Sequence, residues 1–406
     1  MAYNKQNKFD DELDPNENKK SKKKASKKDF ALDKFDMDMT SSGGKKENKI
    51  PKPKNPFKRL AVAVIPQKED SPGQKRRKML LIVAICVLIG TLAYLIWQLS
   101  QLAISERLHK NLWDEFSPNS APDYQLPNRV ANPDANIHTG PGTGEPEYID
   151  LTPVPNTPLN IDFDRLKSLN PDTRAWIKIE GTQLNNVIMQ KPGNDDYYLN
   201  HDFYGNESIS GEIFSTWRNQ WDGTDENYIL YGHNMHDGNM FAYVLHYIPD
   251  DMSREPMAFY KVHPTIALQR DGGESETYKV FAGFVANTQE EYGEVFNYTT
   301  KTNFNGKDEF NQYILDIMDR SWFYTDVDLE YGDTLLTLST CHWPLSRSIE
   351  TRWVVIARKV RPGESEEVDT TVVERNYGAK LFEYYYQCIG GQWYGSNWDT
   401  SKLLSY

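Results

Sequence analysis

Short apolar runs with the composition of β-strands recur along the chain after residue 160. They are rich in Val, Ile, Trp, Tyr and Phe and are bounded by Asn, Asp and Gly, which favours strands separated by turns. These runs are residues 176–179, 186–189, 211–214, 228–231, 265–269, 278–285, 334–340 and 352–360. Helical segments are predicted at residues 161–169, 240–247 and 307–320. The pattern favours a mostly antiparallel β-barrel with peripheral helices, because closing the sheet removes exposed strand edges.

One apolar run is too long for a strand. Residues 79–99 contain no charged side chain, and about 20 apolar residues in a helix cross the ~30 Å hydrocarbon core of a bilayer. Residues 75–78 are all Lys or Arg, and Tyr94 and Trp97 lie near the other end as interfacial anchors. We predict a single-pass transmembrane helix, which residues 101–113 could prolong. The positive-inside rule predicts a cytoplasmic N-terminus and an extracellular remainder of the chain.

The charge changes sign across this helix. Residues 1–78 hold 22 Lys and Arg against 12 Asp and Glu, a net +10, and since the whole chain carries −12, residues 79–406 carry −22. A negative extracellular part makes nucleic acid an unsuitable partner, because phosphate would be repelled. The basic tail, residues 1–78, has few apolar residues over positions 1–60 and is predicted to be disordered and cytoplasmic. It either associates with anionic lipids or only sets the topology.

Composition divides the rest of the chain into three parts. Residues 100–160 are predicted to form an extracellular stalk or linker, since positions 117–158 are rich in Pro, Asn, Asp, Thr and Gly. Residues 161–360 contain the predicted strands and form the predicted catalytic domain. Residues 361–406 form an extension with many aromatic side chains, which should pack on another surface. Packing on the barrel is the simplest expectation; covering the active site or binding a partner are the alternatives.

A cysteine, a histidine and an arginine stand at the ends of three predicted strands. Cys341 follows the run 334–340 directly, and Arg352 opens the next run eleven positions later. His233 stands two positions beyond the run 228–231. A strand end can present a side chain at the rim of a sheet, and a thiol with a base and a cation is typical of a cysteine nucleophile. The arrangement indicates acyl transfer through a thioester.

Three other residues compete for these roles. His236 and His342 are alternative bases, and Arg347 is an alternative cation. Adjacent side chains on a strand point to opposite faces, so His342 should point away from the Cys341 side chain. Arg347 lies in a Pro- and Ser-containing segment typical of a loop, whereas Arg352 begins a strand-like run. We therefore predict that the cysteine, histidine and arginine named above are the catalytic residues.

Three motifs stand in this region. They are Thr-Leu-Ser-Thr-Cys at 337–341, Tyr-Gly-His-Asn-Met and Asp-Gly-Asn-Met-Phe within 231–241, and Arg-Trp-Val-Val-Ile-Ala at 352–357. Together they resemble the motifs of class B sortases. The similarity runs from about residue 161 to residue 359. A lone strand-end cysteine is more often a small buried side chain, but the accompanying motifs favour catalysis. The residues after the cysteine, His342-Trp343-Pro344, depart from the polar or acidic residues usual in class B.

The resemblance implies a fold and an activity. The fold is the sortase eight-stranded β-barrel, and the activity is a transpeptidase of a Gram-positive-type cell surface. Cys341 would attack a sorting signal near the C-terminus of a secreted protein, His233 would move the proton, and Arg352 would bind the oxyanion or position the substrate. The acyl group would pass to an amine of the cell wall or, alternatively, to a pilin lysine. An alternative of another class is a catalytically idle, membrane-tethered binding module.

No cofactor is expected, because the chain has no Cys-x-x-Cys or His-Glu-x-x-His metal motif. Of the three cysteines, Cys86 falls within the predicted span, and a bridge between Cys341 and Cys388 would consume the predicted nucleophile. Cys341 is therefore expected to be free, and Cys388 to be buried or free.

Overall fold

The structure, a computed structural model, describes residues 61–116, 137–138, 148–235, 237–249 and 255–404. The described residues divide into two compact units between Ile85 and Cys86. Most of the predicted basic tail lies outside the described residues, as do residues 117–136 and 139–147 of the predicted stalk.

Helix α1 (Pro72–Phe116) contains the predicted membrane span. In the described part of the chain it is the one helix long and apolar enough to cross a membrane. Its apolar side chains are exposed along the span, including Leu88 and Leu99. Farther along, Leu112 and Phe116 are buried against the second unit's own core. The helix thus continues past residue 113, and its end packs on the domain that follows.

The helices and strands that build the second unit follow α1 in chain order. The helices are α2 (Phe163–Leu169), α3 (Ala258–Val262), α4 (Lys307–Arg320) and α5 (Glu383–Ile389). The strands are β1 (Ile137–His138), β2 (Tyr148–Ile149), β3 (Thr173–Lys178), β4 (Asn185–Met189), β5 (Ile213–Ser215), β6 (Asn227–Tyr231), β7 (Thr265–Arg270), β8 (Ser275–Asn287), β9 (Phe323–Tyr324), β10 (Leu335–His342), β11 (Thr351–Lys359) and β12 (Glu374–Arg375).

Eight of these strands close into a barrel in the order β10-β11-β8-β7-β3-β4-β5-β6. Neighbours are antiparallel except β4 with β5 and β6 with β10, which are parallel. The predicted mostly-β, eight-stranded barrel is therefore confirmed, and each predicted strand corresponds to one strand of the barrel. Segment 240–247 contains a 3₁₀ helix, Ala242–Tyr247.

The alternation of side chains along the strands divides the core into layers. One buried cluster takes residues from all eight barrel strands and fills the interior; Trp353 and Val355 of β11 belong to it. The intervening Val354 and Ile356 face outwards, where α4 packs on them. Helix α4 buries Phe310, Ile314, Ile317 and Met318 there, as its helical spacing predicts. A third cluster lies outside β3 and β4, under α2 and the end of α1.

The C-terminal extension packs on the barrel. Strand β12 pairs with β9, Phe382 belongs to the interior cluster, and Trp398 and Leu403 join the cluster beneath α4. This is the simplest of the three roles expected for its aromatic residues. Strands β9 and β12 and helix α5 have no counterpart in the predicted pattern.

Candidate active site

Cys341 and Arg352 face each other across two neighbouring strands. In the antiparallel ladder of β10 and β11 the residue directly opposite Cys341 is Arg352. Directly opposed residues project from the same face of a sheet, with Cβ atoms about 5 Å apart. Arg352 alternates with Trp353 and so shares the outward face of Val354. The register thus brings the thiol and the guanidinium together on the outer face. Both residues are partly exposed.

His233 reaches the same rim from the other neighbour of β10. Strand β6 runs parallel to β10 and ends at Tyr231. The next residues stay attached to β10: the Thr340 hydroxyl donates to the Gly232 carbonyl at 2.8 Å, and Asn234 Nδ2 donates to the Cys341 carbonyl at 3.4 Å. His233 therefore leaves the barrel between two contacts with the cysteine strand.

Gly232 permits this path for a steric reason. A Cβ atom at that position would lie 2.8 Å from Cγ of Phe241, which is fully buried. No larger residue fits without displacing the core beneath the histidine. Glycine at this position of the motif is thus a packing requirement.

The hydrogen bond made by His233 assigns roles to its two ring nitrogens. Nε2 lies 2.7 Å from the carbonyl oxygen of Leu199. A carbonyl oxygen only accepts hydrogen bonds, so Nε2 carries a proton and donates. Proton exchange with a substrate then falls to Nδ1. This contact fixes the orientation of the ring.

Tyr298 covers the outer face of β10 next to the cysteine. It is 3% exposed, and its hydroxyl lies 2.8 Å from the Ser339 hydroxyl, two positions before Cys341. Burial raises the pKa of Tyr298, while the Ser339 hydrogen bond and the Arg352 charge lower it and Cys341 raises it further. The phenol is thus within electrostatic reach of both predicted catalytic residues. It stands in the segment 288–306 between β8 and α4, which we call the site loop.

The competing residues have different surroundings. His342 alternates with Cys341 and stacks edge to face with Trp353, a residue of the barrel interior, with ring centroids 6.3 Å apart. Burial lowers the pKa of His342 and favours its neutral form. Arg347 is exposed in the loop between β10 and β11, with its guanidinium 5.9 Å from the Trp343 ring centroid. His236 lies outside the described residues.

Sequence patterns left two groups near the site unidentified. The Leu199 carbonyl that orients His233 is a backbone atom and has no residue signature. Tyr298 lies in a loop whose sequence shows no periodicity. Asn234, in contrast, stands within the quoted motif and could have been found from it. In the described residues no group of three or more His, Cys, Asp or Glu side chains could hold a metal ion. Cys86, Cys341 and Cys388 are free.

Comparison with known proteins identifies the family. A family model described as "Sortase domain" matches residues 177–360. Sortase B of Staphylococcus aureus is 30% identical over 199 residues, which cover 49% of this chain and 75% of that protein. Sortase B of Listeria monocytogenes is 32% identical over 176 residues, which cover 43% of this chain and 65% of that protein.

Solved structures match a similar share of the chain. An X-ray structure of Clostridium perfringens sortase B is 32% identical and is covered completely by 49% of this chain, with a TM-score of 0.42. A substrate complex of Staphylococcus aureus sortase B is 30% identical and covered to 84%, with a TM-score of 0.41. The sequence relatives carry the assignment. The chain belongs to the sortase family of cysteine transpeptidases, in class B.

Proposed function

We propose that this chain is a membrane-anchored transpeptidase that cleaves a C-terminal sorting signal of secreted proteins and joins the product to an amine of the cell wall. The observation that supports this most directly is the pairing of Cys341 with Arg352 across β10 and β11. His233 lies beside the same strand end, with one ring nitrogen committed to the Leu199 carbonyl.

In the first half-reaction the Cys341 thiolate attacks the scissile carbonyl carbon and forms a tetrahedral intermediate. Arg352, placed across the ladder, provides the positive charge for the developing oxyanion. The C–N bond then breaks, the leaving amine takes a proton from His233, and a thioester to Cys341 remains.

In the second half-reaction an amine attacks the thioester carbonyl. His233 takes the proton from the attacking nitrogen, the C–S bond breaks, and the Cys341 thiolate is regenerated. One amide bond breaks and another forms, so the overall transfer needs no external energy source. A well-placed amine outcompetes water because a bound nucleophile has a high effective concentration.

Helix α1 is the proposed anchor. Its apolar run of residues 79–99 follows four basic residues, which predicts a cytoplasmic N-terminus and an extracellular catalytic domain. This topology places the active site on the side where secreted proteins and wall amines are found.

The test uses the full-length chain in detergent and a library of peptides, with products read by mass spectrometry. Wild type should cleave one peptide class and carry a thioester adduct on Cys341, and an added amine should divert the product from acid to amide. Cys341→Ala should lose both cleavage and adduct. Cleavage retained by Cys341→Ala would exclude this mechanism. Competition between wall-type amines and a pilin-type lysine peptide then assigns the acceptor.

A further inference from the structure

The C-terminal extension makes polar contacts with the site loop as well as apolar contacts with the barrel. The Glu383 carboxylate accepts a hydrogen bond at 2.7 Å from the backbone N–H of Glu294. Gly293 has φ +119°, and a Cβ atom there would lie 1.7 Å from the Glu383 oxygen. The start of α5 thus fits closely against one point of the site loop.

A second contact uses charges. Glu294 is paired with Lys380 of the extension, at 2.7 Å, and with Arg320 at the end of α4. Burial acts to raise the pKa of Glu294, but the hydrogen bonds and charges of Lys380 and Arg320 outweigh it and lower the pKa. The Lys380 backbone N–H also donates to the Asp319 carbonyl at 2.7 Å, which fixes the lysine on α4.

The exposed fractions of the Glu294 and Arg320 side chains indicate whether this network stabilises the fold or positions the loop. The Glu294 side chain is 42% exposed, and an isolated pair so open to solvent contributes little to stability. Arg320, however, is 7% exposed and lies 4.4 Å from the Phe296 ring centroid. The network therefore restricts where the loop lies more than it stabilises the fold.

On either side of these contacts, the site loop also contacts the two strands that carry Cys341 and Arg352. Towards β11, the Glu350 N–H donates to the Gln289 side chain at 2.8 Å, and Thr288 donates to the Glu350 carbonyl at 2.7 Å. Glu350 is two positions before Arg352. Towards β10, Phe296 stacks on Tyr313 of α4, and Tyr298 reaches Ser339.

We propose that Lys380 and Glu383 are positioning residues: the extension braces the site loop and thereby holds Tyr298 and the start of β11 in the geometry that catalysis needs. This role rests on the proposed function, since it acts through Arg352 and the face of β10 that carries Cys341. This role differs from that of a lid: removing the contacts of a lid would raise activity, whereas removing these contacts lowers it.

Two variants in the full-length chain test the brace, and a third is the matched control. Lys380→Met and Glu383→Ala each remove one contact with the loop. Lys402→Met removes a lysine of the same extension that donates to the Thr325 carbonyl at 2.6 Å and does not reach the loop. All three are measured for melting temperature, amide hydrogen exchange over residues 289–298, and kcat/KM on the cleaved peptide.

We expect exchange over residues 289–298 to rise about fivefold in Lys380→Met and Glu383→Ala, and kcat/KM to fall at least about threefold. Lys402→Met should stay within about twofold of wild type in both measurements. Combining Lys380→Met with Glu294→Gln should cost less than the sum of the single effects, because the two share one contact.

If amide hydrogen exchange over residues 289–298 is unchanged in Lys380→Met and Glu383→Ala, the extension does not restrain the site loop. If exchange is faster but kcat/KM is unchanged, the contacts restrain the loop without positioning the catalytic residues. A rise in kcat/KM would indicate a cover over the site instead. Equal losses in Lys402→Met would show a general loss of stability. If Cys341→Ala still cleaves peptide, the proposed function fails separately, and the exchange measurement still tests the brace because it needs no substrate.

Discussion

The extension should be part of the barrel's cooperative unit, and Phe382→Ala measures this. Phe382 is 5% exposed, belongs to the interior cluster, and stacks edge to face with Tyr385 at 5.6 Å between ring centroids. Replacing a buried Phe by Ala loses the transfer free energy of the ring and leaves a cavity, together about 3–5 kcal/mol. Because Phe382 lies in a terminal segment that can relax, we expect about 3 kcal/mol.

For a domain of this size that loss lowers the melting temperature by about 6 °C, measured by near-UV circular dichroism of the full-length chain in detergent. Tyr394→Ala is the control, since Tyr394 is an aromatic residue of the same extension and is 86% exposed. Its effect should stay within about 0.5 kcal/mol. If the two variants melt at the same temperature, the extension does not contribute to the cooperative core, and the packing described above is not stabilising.

His233→Ala should lower kcat for peptide cleavage by about 10²–10⁴-fold, while His342→Ala stays within about tenfold; the reverse order would reassign the base. Arg352→Lys should lose at least about tenfold in kcat/KM, because an ammonium lacks the planar fork of a guanidinium, and wild-type activity would refute the oxyanion role. Glu364 accepts hydrogen bonds from the buried Arg358, which holds the pKa of that carboxyl well below its usual range. Its stabilisation is therefore complete above the unfolded-chain pKa of about 4.3 and is lost as the pH falls towards the folded-state pKa. The deficit of Glu364→Gln in the free energy of unfolding, about 2 kcal/mol at pH 7, should shrink between about pH 4.5 and pH 2, and a constant deficit in urea titrations would contradict this linkage.

Local patterns were sufficient for the barrel strands, for α4 and for the membrane-span candidate. The eight apolar runs became the eight barrel strands, and α4 has the predicted bounds because its apolar positions recur at helical spacing. The 21-residue uncharged run lies within α1 for a similar reason, since helix formation depends on neighbouring residues. Alternation along a strand also places the Cys341 and His342 side chains on opposite faces without knowledge of the fold.

The surroundings of the predicted catalytic residues depended on contacts between distant segments. The parallel pairing of β6 with β10 joins segments more than a hundred residues apart, and loop closure over such lengths carries no local signal. The Leu199 carbonyl orients His233 through a backbone atom that any residue could supply.

The strand pattern, the motif residues and the aromatic density of the extension can all be read from residue type and spacing. Three contacts cannot: Cys341 opposite Arg352, Tyr298 over the adjacent face, and Lys380 and Glu383 against the site loop. Register, burial and charge pairing arise when the barrel closes, because closure brings together segments that no local pattern relates.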